Sequence, residues 1–319
     1  MKPMLQTLTL PDTADAIAQG AAILRRGGLL ALPTETVYGL AGDACNDHAV
    51  AGIFAAKGRP SFNPLIVHLA ALEQVPDYAD LTPLARQLAT AFWPGPLTLV
   101  LPLRAGSPLS PLVTAGLDSV AIRLPAHPTA RELLTAFGGG IAAPSANPSG
   151  RISPVTARHV LDGLDGRIDA VIDADACNVG VESTILDARG DTPRLLREGG
   201  LAGETIEEAL GTRLLPPETS GVTAPGQLAS HYAPRGRVRL DVTKPDPAET
   251  YIGFGPTEGA ALTLSASGDL TEAAANLFHI LHKADAEAGP EGSIAFAPIP
   301  EIGLGRAIND RLRRAAAPR

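Results

Sequence analysis

The chain is predicted to fold as an α/β protein, a mixed sheet layered with helices, followed by a small open α/β domain. Three observations carry this. Helical periods alternate with short apolar runs bounded by proline or glycine. Several apolar runs follow one another with no helix between them, so some neighbouring strands must be antiparallel and the sheet mixed. The character of the chain also changes near residue 212. A length of 319 residues, at roughly 100–200 per domain, favours two domains. The expected division is 1–212, a linker over 213–236, and a C-terminal unit over 237–319.

The elements follow in order. "DTADAIAQGAAILRRGG" is a helix that Asp12 or Thr13 can cap and Gly27-Gly28 can end. "LLALP" (29–33) is a buried strand. "DHAVAGIFAAKG" (47–58) is a helix capped by Asp47 and stopped at Gly58, and "PLIVHL" (64–69) is a strand. "TPLARQLATAFWPG" (82–95) is a helix with proline in its first turn. "LTLVLPL", "SVAIRLP" and "GIAAPSA" are strands, and "SPVTARHVLDGLDG" (153–166) is a helix. "DAVID", "STILD" and "PRLLRE" are strands, and "ETIEEALG" (204–211) closes the first domain as a helix. "PPETSGVTAPGQLASHYAPRGR" (216–237) lacks periodicity and reads as a linker or long functional loop. Beyond it, "RVRLDV", "TYIGFG", "AALTLS" and "SIAFAPI" are strand-like, and "DLTEAAANLFHILHKADAEAG" and "LGRAINDRLRRAAA" helix-like. No G-x-G-x-x-G follows the first strand of this unit, so it is not read as a nucleotide binder.

Composition narrows the function. A net charge of −8 and a pI near 5.4 disfavour a general nucleic-acid binder, which needs a broad basic surface. Aromatic residues make up 4% of the chain, too few for a base-stacking platform. Cys45 and Cys177 are far apart and form no metal-type spacing, which fits a reducing compartment. The N-terminal segment lacks a signal-peptide core. No apolar run approaches the ~18 residues a membrane span needs. The expectation is a soluble, cytoplasmic protein with no membrane partner.

Against that acidic background, "AAKGRPSFNPLIVHLA" (55–70) carries Lys57, Arg59, Asn63 and His68 and no acid. Basic residues suit a helix C-terminus, which accounts for Lys57. It does not account for Asn63 or for Arg59, whose planar fork fits phosphate oxygens. His68 alone reads more readily as a satisfied core histidine. "LPTETVYGLAGDA" (32–44) places Thr34, Glu35, Thr36 and Tyr38 on a turn after a strand. The turn either orients a small polar ligand or caps a helix. In "DSVAIRLPAHP" (118–128), Arg123 faces away from Val120 and Ile122. A carboxylate ligand and a structural salt bridge are equal readings for it. "IAAPSANPSGRISP" (141–154) forms a stiff polar loop with Ser145, Asn147, Ser149 and Ser153 as hydrogen-bonding groups. "GVESTILD" brings Ser183 and Thr184, and "PRLLREGG" brings Arg197 and Glu198, to strand ends. Several cations and hydroxyls, with no nucleophile beside a base, suit a polyanion plus a small zwitterion, and catalysis by positioning and charge neutralisation.

"LPTETVYGLAGDA", "KGRPSFNPLIVH", "FWPGPLTLVL", "VAIRLPAHP", "APSANPSGRISPV", "ESTILD" and "LLREGG" occur in that order. Together they resemble the YrdC-like family of threonylcarbamoyl-AMP synthases. "APGQLASHYAP" and the C-terminal unit resemble its longer, two-domain form. The resemblance implies a twisted α/β sheet around a large basic cavity. It implies that L-threonine, bicarbonate and ATP, with Mg²⁺, give threonylcarbamoyl-AMP and pyrophosphate. A separate tRNA threonylcarbamoyl transferase complex then uses that product on a tRNA adenosine, and direct tRNA contact is possible but not required. Carried onto this sequence, it assigns L-threonine to Thr36, His68, Arg123, the Ala143 backbone and Ser183. It assigns ATP to Lys57, Arg59, Asn63, Ser119, Ser145, Ser153, Arg197 and Tyr232, with Lys57 and Arg59 stabilising phosphate charge and no side chain assigned to metal. His68 then becomes a ligand residue. The Pro-Gly linker is expected to act as a lid. Gln227, Leu228 and Ala229 stand where many relatives have methionine and basic residues, so no positive charge is expected from it.

Two other readings stand beside this one. A carbamoyl-transfer domain of the hydrogenase-maturation type shares the fold, but such proteins carry zinc-finger cysteines and this chain has two lone ones. An RNA-binding module would use Arg306, Arg311, Arg313 and Arg314 of the last helix, which otherwise reads as a solvated, dipole-complementing end.

Overall fold

A computed structural model describes residues 6–216 and 230–318. The linker expected over 213–236 lies mostly outside the described residues, and the expected lid and residues 227–229 lie there with it. The first domain comprises β1 (Leu8–Pro11), α1 (Ala14–Arg25), β2 (Leu30–Leu32), β3 (Gly39–Asp43), α2 (Asp47–Lys57) and β4 (Ile66–His68). It continues through α3 (Pro83–Phe92), β5 (Leu97–Pro102), α4 (Pro111–Thr114), β6 (Ser119–Arg123), α5 (Pro128–Phe137) and β7 (Ile141–Ala142). It ends with α6 (Ala157–Leu164), β8 (Ala170–Asp173), β9 (Thr184–Asp187), β10 (Arg194–Arg197) and α7 (Gly203–Leu210). The C-terminal part holds β11 (Arg237–Arg239), β12 (Thr250–Gly253), β13 (Leu262–Thr263), α8 (Leu270–Ala288), β14 (Ser293–Phe296) and α9 (Leu304–Ala316).

The ten strands of the first sheet lie in the order β1-β8-β2-β3-β7-β4-β6-β5-β9-β10. Parallel pairs (β1/β8, β4/β6, β5/β9) are interleaved with antiparallel ones (β2/β3, β5/β6, β9/β10), so the sheet is mixed, as the helix-free successions of strands require. The second sheet, β11-β14-β12-β13, is parallel throughout.

The local chemistry explains most boundaries. Thr13 caps α1 by accepting from the Ala16 amide, and Thr82 caps α3 with Pro83 behind it. Asn46, not Asp47, caps α2: its side chain accepts from the His48 and Ala49 amides, and Asp47 sits in the first turn. The helix expected from 153 begins at Ala157, because Thr156 is extended and caps it. Four elements had no clear sequence signal: β1, the glycine-rich β3, the short α4, and α5.

The two faces of the large sheet differ, and that difference creates the site. On one face, α1 and α5 pack Ile17, Leu24, Leu133 and Leu134 against Leu30, Ile141 and Ile172. They cover only the β1-to-β7 half. Over the other half the same face carries a small apolar cluster, Ile66, Val100, Ala121, Ile185 and Leu196. The opposite face is buried throughout in a larger core containing Leu40, Val67, Leu99, Ile122 and Leu186. That core runs without interruption into the C-terminal domain through Leu277, Phe278, Ile308 and Leu312.

The docking of α8 onto the first domain depends on Gly180. Its φ is +74°, and a Cβ there would lie 2.4 Å from the Ala274 carbonyl oxygen. Gly180→Ala is therefore expected to destabilise the protein by about 1–3 kcal/mol, read as a lower denaturant midpoint. An unchanged midpoint would contradict this packing.

Candidate functional site

Strand register places the polar groups. His68 ends β4 directly beside Arg123, which ends β6, and Arg123 lies beside Thr98 of β5. Cross-strand partners share a face, so these three side chains stand with Ile66 and Ala121 on the half of the sheet that α1 and α5 leave uncovered. Val120 and Ile122 enter the large core on the other side, as alternation in the sequence predicts. On β10 a register shift between Leu195 and Arg197 sets Arg197 opposite Ile185. This bulge turns the guanidinium onto the same face.

A cleft opens on this surface. It is lined by Thr36, Val37, Arg59, Ile66, His68, Arg123, Ala143, Pro144, Ser145, Glu182, Ser183, Arg197, His231 and Tyr232. Of the residues assigned from sequence, Thr36, Arg59, His68, Arg123, Ala143, Ser145, Ser183, Arg197 and Tyr232 are brought together there. Lys57, Asn63, Ser119 and Ser153 are buried but do not form its wall. Lys57 Nζ donates to the Ser145 carbonyl (2.5 Å) and to the Asn147 carbonyl (2.6 Å), with Asn147 Oδ1 3.3 Å away. The ammonium thus pins the loop that carries Ser145. Asn63 Oδ1 has no hydrogen-bond partner among the described residues. Ser153 Oγ donates to Glu182 Oε1 (2.6 Å), and Ser119 opens β6 opposite Pro102.

Arg123 is 4% exposed and fully oriented. Its Nη1 donates to Thr36 Oγ1 (2.8 Å) and its Nε to the Gly95 carbonyl (3.3 Å). Its Nη2 lies 2.7 Å from Glu35 Oε1. That last contact is Coulombic, since the two atoms are not aligned for a hydrogen bond. Both sequence readings of Arg123 therefore meet at one residue: it has a structural acid, and it also faces the cleft. Arg59 follows the left-handed Gly58 that ends α2 (φ 61°), and it donates to the carbonyls of Asn63 (3.2 Å) and Pro64 (2.8 Å). Arg197 donates to the Ser183 carbonyl through Nε (3.1 Å) and Nη2 (2.8 Å). Ser183 Oγ in turn lies 2.7 Å from Thr98 Oγ1.

Burial, and then the proximity of Arg197, lowers the Arg59 pKa to about 10. Arg197 is drawn to about 10 mainly by burial. Both stay charged at neutral pH. Burial and the Arg59 charge also hold Lys57 well below its ordinary value. His68, desolvated and next to Arg123, falls to about 3 and is a neutral imidazole.

Sequence reasoning missed Glu182, His231 and Arg311, and gave Glu35 no partner. Tyr232 is buried in a left-handed backbone conformation (φ 61°), with the Phe278 ring 5.4 Å away. Arg311 corrects the reading of the last helix as a solvated end. It is 1% exposed, and its Nε donates to Glu182 Oε2 (3.0 Å). The signal was its place on the buried stripe of α9 with Ile308, Leu312 and Ala315. Arg306 and Arg313 are partly exposed and paired with Glu204 and Glu301.

The sign of the His68 shift gives a pH dependence. Unfolded, the ring titrates near 6.5; folded, it titrates near 3. Between those values the unfolded chain binds the extra proton, so stability falls as pH falls from about 6.5 toward 3. From pH 7 to pH 5 the loss from this residue is on the order of 2 kcal/mol. His68→Asn is expected to show a correspondingly smaller drop in urea midpoint over that range. An equal drop would contradict a buried neutral ring.

Comparison with known proteins agrees with this architecture. The family model described as "Telomere recombination", covering the Sua5, YciO and YrdC proteins, matches residues 22–199. The model described as "Threonylcarbamoyl-AMP synthase, C-terminal domain" matches residues 201–317. The threonylcarbamoyl-AMP synthase of Bacillus subtilis is 41% identical, with 95% of this chain and 93% of that protein covered. The threonylcarbamoyl-AMP synthase of Pyrococcus abyssi is also 41% identical, with 93% and 92% covered. The crystal structure of P. abyssi Sua5 complexed with L-threonine superposes with a TM-score of 0.87 at 37% identity, covering 97% of each chain. The chain belongs to the Sua5/YciO/YrdC family and carries the C-terminal domain of its threonylcarbamoyl-AMP synthases.

Proposed function

We propose that this protein is an L-threonylcarbamoyladenylate synthase, an enzyme that transfers a nucleotidyl group. The observation that carries the proposal is the single cleft in which Arg123 and His68 stand side by side while Arg59 and Arg197 crowd their positive charges. It supports two anionic ligands held next to each other. Arg123, already fixed by Glu35, Thr36 and Gly95, would take the threonine carboxylate. Thr36, neutral His68, the Ala143 backbone and Ser183 would complete that subsite. Arg59 and Arg197 would take the triphosphate, with Ser145 and Tyr232 beside it. Lys57 would act by holding the Ser145 loop, and Asn63, Ser119 and Ser153 would support the nucleotide from the surrounding shell.

In the proposed reaction the amine of threonine condenses with bicarbonate, losing water, to give a carbamate. A carbamate oxygen attacks the α-phosphorus, and the bond to the bridging oxygen of the β-phosphate breaks. Pyrophosphate leaves with that electron pair. No covalent enzyme intermediate is needed. The protein's work is to align the two anions and neutralise the charge that builds on pyrophosphate. No group of three or more His, Cys, Asp or Glu among the described residues is arranged to hold a metal ion. Mg²⁺ is proposed to arrive with the nucleotide, on its phosphates. The product would be consumed by a separate tRNA-modifying transferase. Among the described residues no helix is long and apolar enough to cross a membrane.

Incubation with ATP, Mg²⁺, bicarbonate and L-threonine is expected to release pyrophosphate and give an adenylate with the mass of threonylcarbamoyl-AMP. Omitting threonine should abolish it, and serine should give less. Arg59→Ala and Arg123→Ala should each lower turnover by at least about 10²-fold, the first raising KM for ATP and the second KM for threonine. Near-normal turnover in either variant would overturn the residue roles. Absence of the adenylate from the unaltered protein would overturn the function.

A further inference from the structure

We propose that His159 of α6 and His282 of α8, one from each domain, are positioning residues of the nucleotide site: they hold the backbone of residues 153–155 from behind and so aim Ser153 at the cleft. This rests on the nucleotide reading of the cleft. Ser153 faces two ways. Its Oγ donates to Glu182 Oε1 in the cleft wall (2.6 Å), while its carbonyl accepts from His282 Nε2 (3.2 Å) at the domain seam. Further along, the Val155 amide donates to His159 Nδ1 (3.4 Å). The Pro154 carbonyl between them accepts from the Tyr38 amide (2.8 Å), and the Val155 carbonyl from the Cys177 amide (3.0 Å). The segment is tied down through its main chain, and imidazoles from both domains share in the tying.

The partners fix each ring's proton. A carbonyl only accepts, so His282 Nε2 carries a hydrogen; an amide only donates, so His159 Nδ1 carries none. The two rings stack with centroids 3.9 Å apart, and the His279 ring lies 5.8 Å from that of His159. Burial, and then the His282 and His279 rings, lower the His159 pKa to about 3, so it remains an acceptor at neutral pH. α6 also touches the same loop further back. At Gly163 a Cβ would lie 2.7 Å from Pro148 Cδ. Both rings line a second cleft, at the seam, with Arg151, Asp162, Arg235 and Asp285, and neither stands in the wall of the candidate site. They act on it through the loop, which gives the C-terminal domain a chemical task there beyond its apolar packing.

The test separates this role from a mere staple between domains. Binding of ATP with Mg²⁺, and of L-threonine, is measured by titration calorimetry on the full chain and on H159F, H159N, H282L and H282Q. Phenylalanine keeps a ring but no acceptor, whereas asparagine keeps an acceptor at the Nδ1 position. Leucine removes the donor at 282, whereas glutamine keeps one at the Nε2 position. H159F and H282L are each expected to weaken ATP by at least about fivefold while threonine stays within about twofold, since one oriented hydrogen bond is lost. H159N and H282Q should bind ATP within about twofold of the unaltered chain. ATP binding by H159F within about twofold of normal overturns the proposal. So does equal weakening of both ligands, or an H159N as weak as H159F. If H159F and H282L do not fold, H159N and H282Q still decide: ATP weaker by about fivefold in either refutes it. An unaltered chain that binds threonine but not ATP refutes the nucleotide reading itself, a distinct result.

Discussion

Arg59, Arg123 and Arg197 are held in place inside the protein on the one part of the sheet that helices leave open, and the rest of the site follows from keeping them there. A guanidinium removed from water is costly unless its donors are met. Arg59 donates to the carbonyls of Asn63 and Pro64 and Arg197 to that of Ser183, while Arg123 is held by Thr36 Oγ1, Glu35 and the Gly95 carbonyl. Carbonyls fix direction without cancelling charge. Arg123 also has a carboxylate against it, and that contact leaves Glu35 without an aligned hydrogen bond among the described residues. The outcome is a cleft whose wall carries three oriented guanidiniums and the Glu182 carboxylate. Such preorganisation is what charge stabilisation in a transition state requires.

The two domains meet at this charge. Apolar contact through Leu277, Phe278 and Leu312 supplies area, with the close approach at Gly180 setting how deeply α8 seats. Polar contacts join them too: Arg311 meets Glu182, His282 Nε2 lies 3.2 Å from the Ser153 carbonyl, and Arg306 meets Glu204. Tyr232 stands at the junction between Phe278 and the cleft wall. Polar groups buried at a seam specify one arrangement, since any other leaves them unpaired.

How much of this was legible in the sequence depends on whether the signal is local. Helices with side-chain caps and breakers, such as α1 behind Thr13 and α3 behind Thr82-Pro83, declare themselves. Aliphatic runs such as β5 do too. β3 does not, because "GLAGD" is a strand only through its pairing with β2 and β7. Most of the cleft's lining was recoverable residue by residue from ordered motifs. The alternation around Arg123 even gave the correct face. What sequence could not give was the spending of charge. Nothing in the sequence shows that the Lys57 ammonium reaches the carbonyls of Ser145 and Asn147. Arg311 looks like a solvated helix end until α9 docks.

The central claim is that one sheet face fixes an amino-acid carboxylate on Arg123 and a triphosphate on Arg59 and Arg197, side by side. A crystal structure of the protein with L-threonine and a non-hydrolysable α,β-methylene analogue of ATP tests it most directly. The expected map shows the carboxylate on the Arg123 guanidinium and the phosphates between Arg59 and Arg197, with the amine facing the α-phosphorus. Phosphates seated on Arg123, or a nucleotide bound outside this cleft, would contradict it.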